Sequence, residues 1–393
     1  MKKFFLLNIF LFIMYTISGA NLSIDEMQII SDINFDSYDN KLKNNTFFKL
    51  QTSFQGGYKF SAKATFSAST AMLESSYLNG TNGLAGLYLI FNNASVTARD
   101  LFNSMLELSI WTGSYKYLGS GNIYKGYLFF PKTDTLDIQG FYRLRGTGVS
   151  ANVRLWEDKF RIKLHLYNNT NFILPTDTFA KLNFFSFDNE IGLYLDYLYL
   201  ELFYGFTKDI MYPNKNTDLE YGRGKIGFTF WVGNKDIEFF TTIGIPDLDK
   251  ETFSQVSTGG RNLFDSLYLI AELKFNLYIT KNIISFLTTP ALYNEVAKTT
   301  QSDFNVNYKL LISSPDKLMN GGTHINFTYH IMSDATQSWN FTVAPYFSIV
   351  LSGVEWFLST GYDFSKVLEA QTKANDLISL EGLHIIFGVT SNF

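Results

Sequence analysis

The 393-residue sequence contains no cysteine. It therefore has no disulfide bonds, no thiolate ligands for a metal and no thiol nucleophile. Beyond the amino terminus it lacks any run of about 18 consecutive apolar residues, which excludes membrane-spanning helices. Pro-rich and Ser-rich linkers and blocks of like charge are also missing, which favours one large domain. The formal net charge of −4, without a basic tail, argues against a nucleic-acid partner.

Charged residues are scarce and aromatic residues are abundant. Each class makes up 17% of the chain, and there are 39 Phe and 24 Tyr. Soluble proteins typically contain roughly 25% charged residues. A soluble domain would need a very large core to bury so many rings, whereas a membrane β-barrel exposes them to lipid and to the interfaces.

The amino terminus has the three parts of a secretory signal peptide. A basic start at Met1–Lys3 is followed by an apolar stretch over 4–17 and by the small residues Ser18–Ala20. This order predicts a signal peptide over residues 1–20 that is removed on export. Its two lysines go with it, so the formal net charge changes from −4 to −6.

The remaining chain is a series of segments with alternating apolar and polar residues. Sixteen such segments can be distinguished, to within two. Short links and long links alternate between them, which is typical of a transmembrane antiparallel β-barrel with short periplasmic turns and long extracellular loops. The long link 114–145 is rich in aromatic residues. It could fold into the barrel and narrow it, or remain a surface loop.

Alternation also assigns a face to each charged residue. A Lys or Arg that faces hydrocarbon costs about 2–4 kcal/mol at the membrane midplane, so the charged faces are expected to line the lumen. The pore-lining candidates are Arg154, Arg161, Lys163, His165, Arg223, Lys225, Glu272, Lys274 and Lys309. The cations among them could form an anion-attracting patch, or they could be paired with acids across the barrel. Both alternatives stay open at the level of sequence.

The last segment, residues 383–393, carries the most specific signal. Ile385, Phe387 and Val389 share one face, and the chain ends on Phe393. This pattern resembles the C-terminal assembly signal of bacterial outer-membrane β-barrels, although Ser391 departs from it. The resemblance implies a porin-type barrel in the outer membrane, surrounded by lipid, whose last strand is recognised by the barrel assembly machinery.

A porin-type barrel implies a passive channel for small hydrophilic solutes, without catalytic residues, cofactor or metal. No nucleophile elbow, phosphate loop or HExxH motif points to an enzyme. Residues 46–393 are expected to form the barrel, and residues 21–45 a periplasmic lead-in or a plug. A surface adhesin or structural barrel, a plugged uptake channel for apolar solutes and a soluble β-sandwich are the alternatives. A homo-oligomer is left open.

Overall fold

The computed structural model is a closed antiparallel β-barrel of 18 strands. The expected barrel is confirmed, and its strand count lies within two of the sixteen predicted. The structure describes residues 21–36, 41–57, 59–70, 73–74, 87–119, 141–170, 184–209, 222–248, 267–289, 302–316, 318–331, 337–365 and 382–391. The predicted signal peptide, residues 1–20, lies outside these ranges.

The strands follow one another around the wall in chain order. Their bounds are β1 Asn21–Asp36, β2 Lys41–Gly56, β3 Phe60–Thr70, β4 Leu87–Asp100, β5 Leu106–Leu118, β6 Tyr142–Leu155, β7 Phe160–Asn169, β8 Phe184–Leu195, β9 Leu198–Asp209, β10 Gly222–Gly233, β11 Ile237–Leu248, β12 Tyr268–Leu277, β13 Thr280–Thr289, β14 Ser302–Ser313, β15 Met319–Ile331, β16 Gln337–Leu351, β17 Val354–Asp363 and β18 Leu383–Ser391. A two-residue piece, Leu73–Glu74, continues β3 along β2. Within the described residues no helix is long and apolar enough to cross a membrane.

The barrel closes between its first and last strands. β1 pairs with β18 from Met27 opposite Ser391 to Asn34 opposite His384, and its other edge pairs with β2. Pairing on both edges leaves no strand of the wall with an open edge, so the backbone groups are satisfied by neighbouring strands. A single helical turn, α1 (Leu101–Ser104), lies in the link between β4 and β5.

This closure corrects the expectation for residues 21–45. They were expected to precede the barrel or to plug it, but Asn21–Asp36 is a wall strand and Lys41 already belongs to β2. The alternation in β1 is broken by an irregularity between Ile24 and Glu26, where the register with β2 shifts. A register shift moves the following side chains to the opposite face, which hides the strand from a period-2 pattern.

The two rims of the barrel differ. Eight short turns lie on one rim, at 57–59, 101–105, 156–159, 196–197, 234–236, 278–279, 314–318 and 352–353. We call it the short-turn rim. β1 starts on this rim at Asn21, and β18 ends on it because the two strands pair antiparallel. The other rim carries the long links, with 37–40 and 332–336 as brief exceptions. The predicted alternation of link lengths is therefore found around most of the barrel.

Local hydrogen bonds fix the short turns. The Asn234 side-chain oxygen accepts from the backbone N–H groups of Asp236 (2.8 Å) and Ile237 (3.0 Å), as in an Asx turn. In the turn between β14 and β15, the Asp316 carboxylate accepts from the Ser314 hydroxyl and from the Leu318 N–H. These hydrogen bonds favour the charged carboxylate and hold the pKa of Asp316 below its ordinary value.

Glycines on the inner face make room for aromatic rings. A Cβ on Gly388 of β18 would lie 2.2 Å from the Phe357 ring, and a Cβ on Gly227 would lie 2.2 Å from the Phe203 ring. Each ring therefore occupies the space that a side chain at the glycine of the neighbouring strand would fill. Gly361 differs, because the nearest atom to its Cβ position is 3.7 Å away.

Candidate functional site

The two faces of the wall have opposite character. Large apolar side chains are exposed on the outer face, as Leu166 is at 39%, whereas its neighbour His165 is fully buried inside. β10 shows the same exposure of apolar residues and burial of a charged one: Ile226 and Phe228 are exposed, and Lys225 is buried. Solvation explains it, because apolar residues turn towards hydrocarbon and charged residues turn away from it. The interior of the barrel is therefore the candidate functional site.

A buried ion pair lies on the inner face of the wall, between β8 and β10. The ammonium of Lys225 is 2.7 Å from Asp188 Oδ1 and 3.0 Å from Oδ2, and the two side chains are at most 2% exposed. The Tyr167 hydroxyl donates to Asp188 Oδ2 at 2.7 Å, and the Tyr142 ring centroid lies 3.9 Å from the ammonium. Gly205 stands between the two charged residues in the register, which lets them meet across β9.

A second cluster joins β5, β6 and β7. The Trp111 indole N–H donates to Ser150 Oγ at 2.7 Å, and Ser150 Oγ lies 2.7 Å from His165 Nδ1. Because the indole can only donate, the serine hydroxyl has its own hydrogen left for the imidazole. Asp188 faces His165 across the strand pair, but its hydrogen bonds go to Tyr167 and Lys225. Ser150, His165 and Asp188 are thus not connected as a hydrolase triad.

The three neighbouring cations of the predicted wall have acidic partners. Arg154 lies 3.4 Å from Asp100, and both Arg154 and Arg161 approach Asp158, at 3.7 and 3.8 Å. Lys163 donates to the Glu190 carboxylate. Of the two alternatives left open by the sequence, the described geometry favours pairing over an unopposed anion-attracting patch.

The remaining candidates are distributed around the interior. Glu272 accepts from the Ser285 hydroxyl at 2.8 Å, and Lys274 pairs with Glu238. Lys309 is 9% exposed and lies on β14. Arg223 belongs to β10, where its backbone pairs with Thr207, and its side chain lies outside the description. The candidates therefore do not converge on one point.

An amide cluster on the opposite wall was not predicted. Asn307 donates to Asn305 at 2.6 Å, Asn326 donates to Asn307 at 2.6 Å, and His324 Nε2 lies 3.1 Å from Asn307 Oδ1. Their mutual hydrogen bonds depend on the register of β14 and β15, which an alternating pattern along one strand does not give. Within the residues that the structure describes, no three His, Cys, Asp or Glu side chains are grouped closely enough to hold a metal ion.

Aromatic side chains narrow the interior. Phe141, which precedes β6, packs against Phe203 of β9 at 4.6 Å and against Tyr268 of β12 at 5.4 Å between ring centroids. These strands are not neighbours, so the rings meet across the interior. Phe141 is the last residue of the aromatic link between β5 and β6, of which residues 120–140 lie outside the described ranges. Of the two alternatives left open for this link, the position of Phe141 favours the one in which the link folds into the barrel.

Similar architectures occur among solved structures. Acinetobacter baumannii OccAB3 matches with a TM-score of 0.51 and 7% identity, over 96% of this chain and 99% of that one. Pseudomonas aeruginosa OccK7 (OpdD) matches with a TM-score of 0.51 and 11% identity, over 95% and 98%. Pseudomonas aeruginosa OccK8 (OprE) matches with a TM-score of 0.50 and 8% identity, over 96% and 98%.

The barrel has the fold of outer-membrane porins. No protein-family model and no curated protein matches the sequence. The predicted assembly signal lies on β18. Phe387 is exposed on the outer face of this strand, and Ile385 and Val389 share that face. Phe393 lies outside the described ranges.

Proposed function

We propose that this chain is a bacterial outer-membrane channel through which small hydrophilic solutes diffuse passively. One observation carries the proposal: the closed wall is apolar outside and charged inside. A soluble β-sandwich would expose its polar faces and bury its apolar ones, which is the opposite arrangement. Barrels of 16–18 strands enclose more space than wall side chains can fill, so an aqueous path is expected.

Size exclusion is proposed to dominate over charge in this channel. The cations at 154, 161 and 163 have acidic partners, so their field is largely cancelled close to the wall. The ring contacts of Phe141 supply a narrowing that acts on solute size. A plug formed by residues 21–45 is not proposed, because β1 and β2 belong to the wall.

Single-channel recording of the refolded barrel in a planar bilayer tests the proposal. Stable conductance steps are the expected result, and the reversal potential under a salt gradient measures ion preference. A barrel that is folded and inserted but electrically silent would contradict passive diffusion. It would favour a closed structural barrel.

Charge reversal tests the contribution of the wall. Replacing Arg154, Arg161 and Lys163 with Glu removes three cations, adds three anions and leaves their acidic partners unopposed. The reversal potential should move towards cation preference. The control reverses three exposed lysines of the short-turn rim, Lys59, Lys159 and Lys235, which makes the same change of charge. Equal shifts in both variants would assign the effect to the barrel mouth instead of the lumen.

The last strand also has a proposed partner. β18 ends the chain's wall and presents Phe387 outwards beside Ile385 and Val389, which supports recognition by the barrel assembly machinery. Exchanging Phe387 for Asn should slow assembly in cells. Normal assembly kinetics of that variant would argue against the outer face of β18 as the recognised element.

A further inference from the structure

β5 contains an irregularity near its long-link end. Ser114 lies opposite Arg145 of β6 and Lys116 lies opposite Leu144, so Tyr115 is an extra residue in the ladder. An extra residue of this kind is a β-bulge, and the side chains that follow it change from one face of the sheet to the other. Bulges are frequent beside functional sites, where they redirect a side chain. The side chain that this bulge redirects is that of Lys116.

Lys116 faces the lumen because of the bulge. Leu144, its partner on β6, is fully buried, whereas Arg143 and Arg145 on either side of Leu144 are exposed on the outer face. Residues directly opposite each other in a sheet lie on the same face, so Lys116 shares the inner face with Leu144. Strict alternation from Trp111, a buried inner residue, would place position 116 on the outer face. The bulge thus turns a lipid-facing position into a lumen-facing one.

The Lys116 ammonium lies beside aromatic rings. It is 5.3 Å from the centroid of the Tyr115 ring, which stacks on the Trp111 ring at 4.8 Å between centroids. A cation at such a distance is attracted by the ring and keeps its charge. Within the part of the chain that the structure describes, Lys116 forms no ion pair with an acid, and Glu107 and Glu201 attract it from a longer distance.

This environment distinguishes Lys116 from the paired cations of the inner wall. Lys163 contacts the Glu190 carboxylate, and Lys225 contacts the Asp188 carboxylate. Two opposite charges in contact largely cancel each other at the distance of a passing ion. The charge of Lys116 is not cancelled in this way, so it acts on ions in the lumen.

Lys116 lies close to the narrowing formed by Phe141. Two residues further along β5, the Leu118 carbonyl accepts a hydrogen bond from the Phe141 N–H at 2.9 Å. The Phe141 ring meets Phe203 and Tyr268 across the interior. An ion that passes a narrow section comes close to its wall, and the energy between two charges rises as their distance falls. A charge at this place therefore affects ions more than the same charge in a wider section.

We propose that Lys116 sets the ion preference of the channel and favours small anions over cations of similar size. The inference rests on the proposed function, because ion preference is a property of a conducting barrel. Size still decides which solutes pass, and Lys116 discriminates by charge among those that do. One unit charge about 5 Å from an ion in water changes the local concentration of that ion about fourfold.

The absence of native cysteine allows this charge to be removed and restored at a single position. Lys116→Cys replaces the ammonium with a neutral thiol. A methanethiosulfonate reagent with an ethylammonium group then attaches a positive charge to the thiol, and the ethylsulfonate reagent attaches a negative charge. The reversal potential under a gradient of potassium chloride across a planar bilayer gives the chloride-to-potassium permeability ratio of each state.

The permeability ratio should fall about fourfold in Lys116→Cys. It should return towards the wild-type value with the cationic reagent and fall further with the anionic reagent. A ratio that is the same in all states would overturn the proposal. A thiol that does not react in the inserted barrel would also overturn it, because a group that water does not reach is not on the path of the ions.

Lys63 provides the matched control. It is exposed on the inner face of β3, which it shares with the buried Ser61 and Thr65, and it too has no acidic partner among the described residues. It lies three residues from Phe60, where β3 begins at the short-turn rim, and so away from Phe141. The same series of states at Lys63→Cys should change the ratio by less than about twofold, because ions there are not confined near the wall and salt screens the charge. Equal changes at both positions would overturn the assignment to Lys116.

Failure of the two proposals can be told apart. A folded and inserted barrel without conductance contradicts the channel, and the assignment of Lys116 falls with it. Stable conductance with a permeability ratio that does not respond to the charge at position 116 overturns the assignment alone. Lys116→Arg keeps the charge and should keep the ratio. A loss of anion preference in this variant would mean that the shape of the lysine matters instead of its charge, which contradicts the proposal.

Discussion

The buried pair of Lys225 and Asp188 gives the sharpest prediction for stability. Lys225→Met removes the ammonium and leaves the Asp188 carboxylate buried inside the wall. The Tyr167 hydroxyl still donates a hydrogen bond to that carboxylate. Both side chains are at most 2% exposed, so water does not replace the lost partner. Breaking a buried ion pair on one side costs about 3–5 kcal/mol. Lys225→Met should lower the free energy of unfolding by that amount.

A double variant separates the cost of leaving Asp188 unpaired from the cost of replacing the Lys225 side chain. In Lys225→Met with Asp188→Asn, the amide oxygen still accepts from Tyr167 and no charge is buried. This double variant should therefore be more stable than Lys225→Met alone, because truncating both partners removes the desolvation penalty. Lys235→Met, at an exposed lysine in a short turn, is the matched control and should change stability by less than about 0.5 kcal/mol.

Equilibrium unfolding of the reconstituted barrel in denaturant, followed by tryptophan fluorescence, measures the wild-type protein, the two single variants Lys225→Met and Asp188→Asn, the double variant and the control. The reasoning is refuted if Lys225→Met costs less than about 1 kcal/mol, since a hydrated pair is weak. It is also refuted if the two single effects simply add, because residues in contact are expected to couple.

Three further results are expected. Phe141→Ala should raise single-channel conductance, because its ring meets partners across the interior, whereas Phe357→Ala, a ring lying against the wall, should leave conductance nearly unchanged. Gly388→Ala should destabilise the barrel by about 1–3 kcal/mol through overpacking against that wall ring, while Gly361→Ala has space for its methyl group and should be tolerated in the same denaturant assay. NMR titration should find the pKa of Asp316 below the ordinary carboxyl value. The carboxylate then stabilises its turn fully at any pH above the ordinary value, and this stabilisation is lost as the pH falls through the lowered pKa. An unshifted titration would contradict the turn geometry.

The two faces of each strand could be predicted from the sequence. On β7, Phe160, Ile162 and Leu164 alternate with charged residues, and the structure separates these sets onto opposite faces of the wall. Alternation is informative because each face meets one environment only: hydrocarbon outside, a polar interior inside. The same reasoning predicts which residues point inwards without knowledge of any contact.

The first strand could not be predicted in this way. β1 places Ser31 opposite Phe387, so its outer face contains a polar residue, and the irregularity after Ile24 shifts the period. Its partner β18 lies at the other end of the chain. Local pattern cannot reveal a pairing between the two ends. β1 and β2 are the two strands that the sixteen segments omit, and the pairing of β1 with β18 closes the barrel of 18 strands.

The ion pairs inside the lumen could not be predicted from the sequence either, because they depend on which residues of neighbouring strands lie opposite each other. Lys163 stands opposite Glu190 because of the register between β7 and β8, which are joined by a long link that does not fix the register. Lys225 reaches Asp188 over Gly205, two strands away, because the glycine leaves space between them. A count of inward cations therefore overstates the attraction of this lumen for anions. Ion preference in such a barrel depends on which charges the register pairs, and this is why the reversal potential is a test of contacts more than of composition.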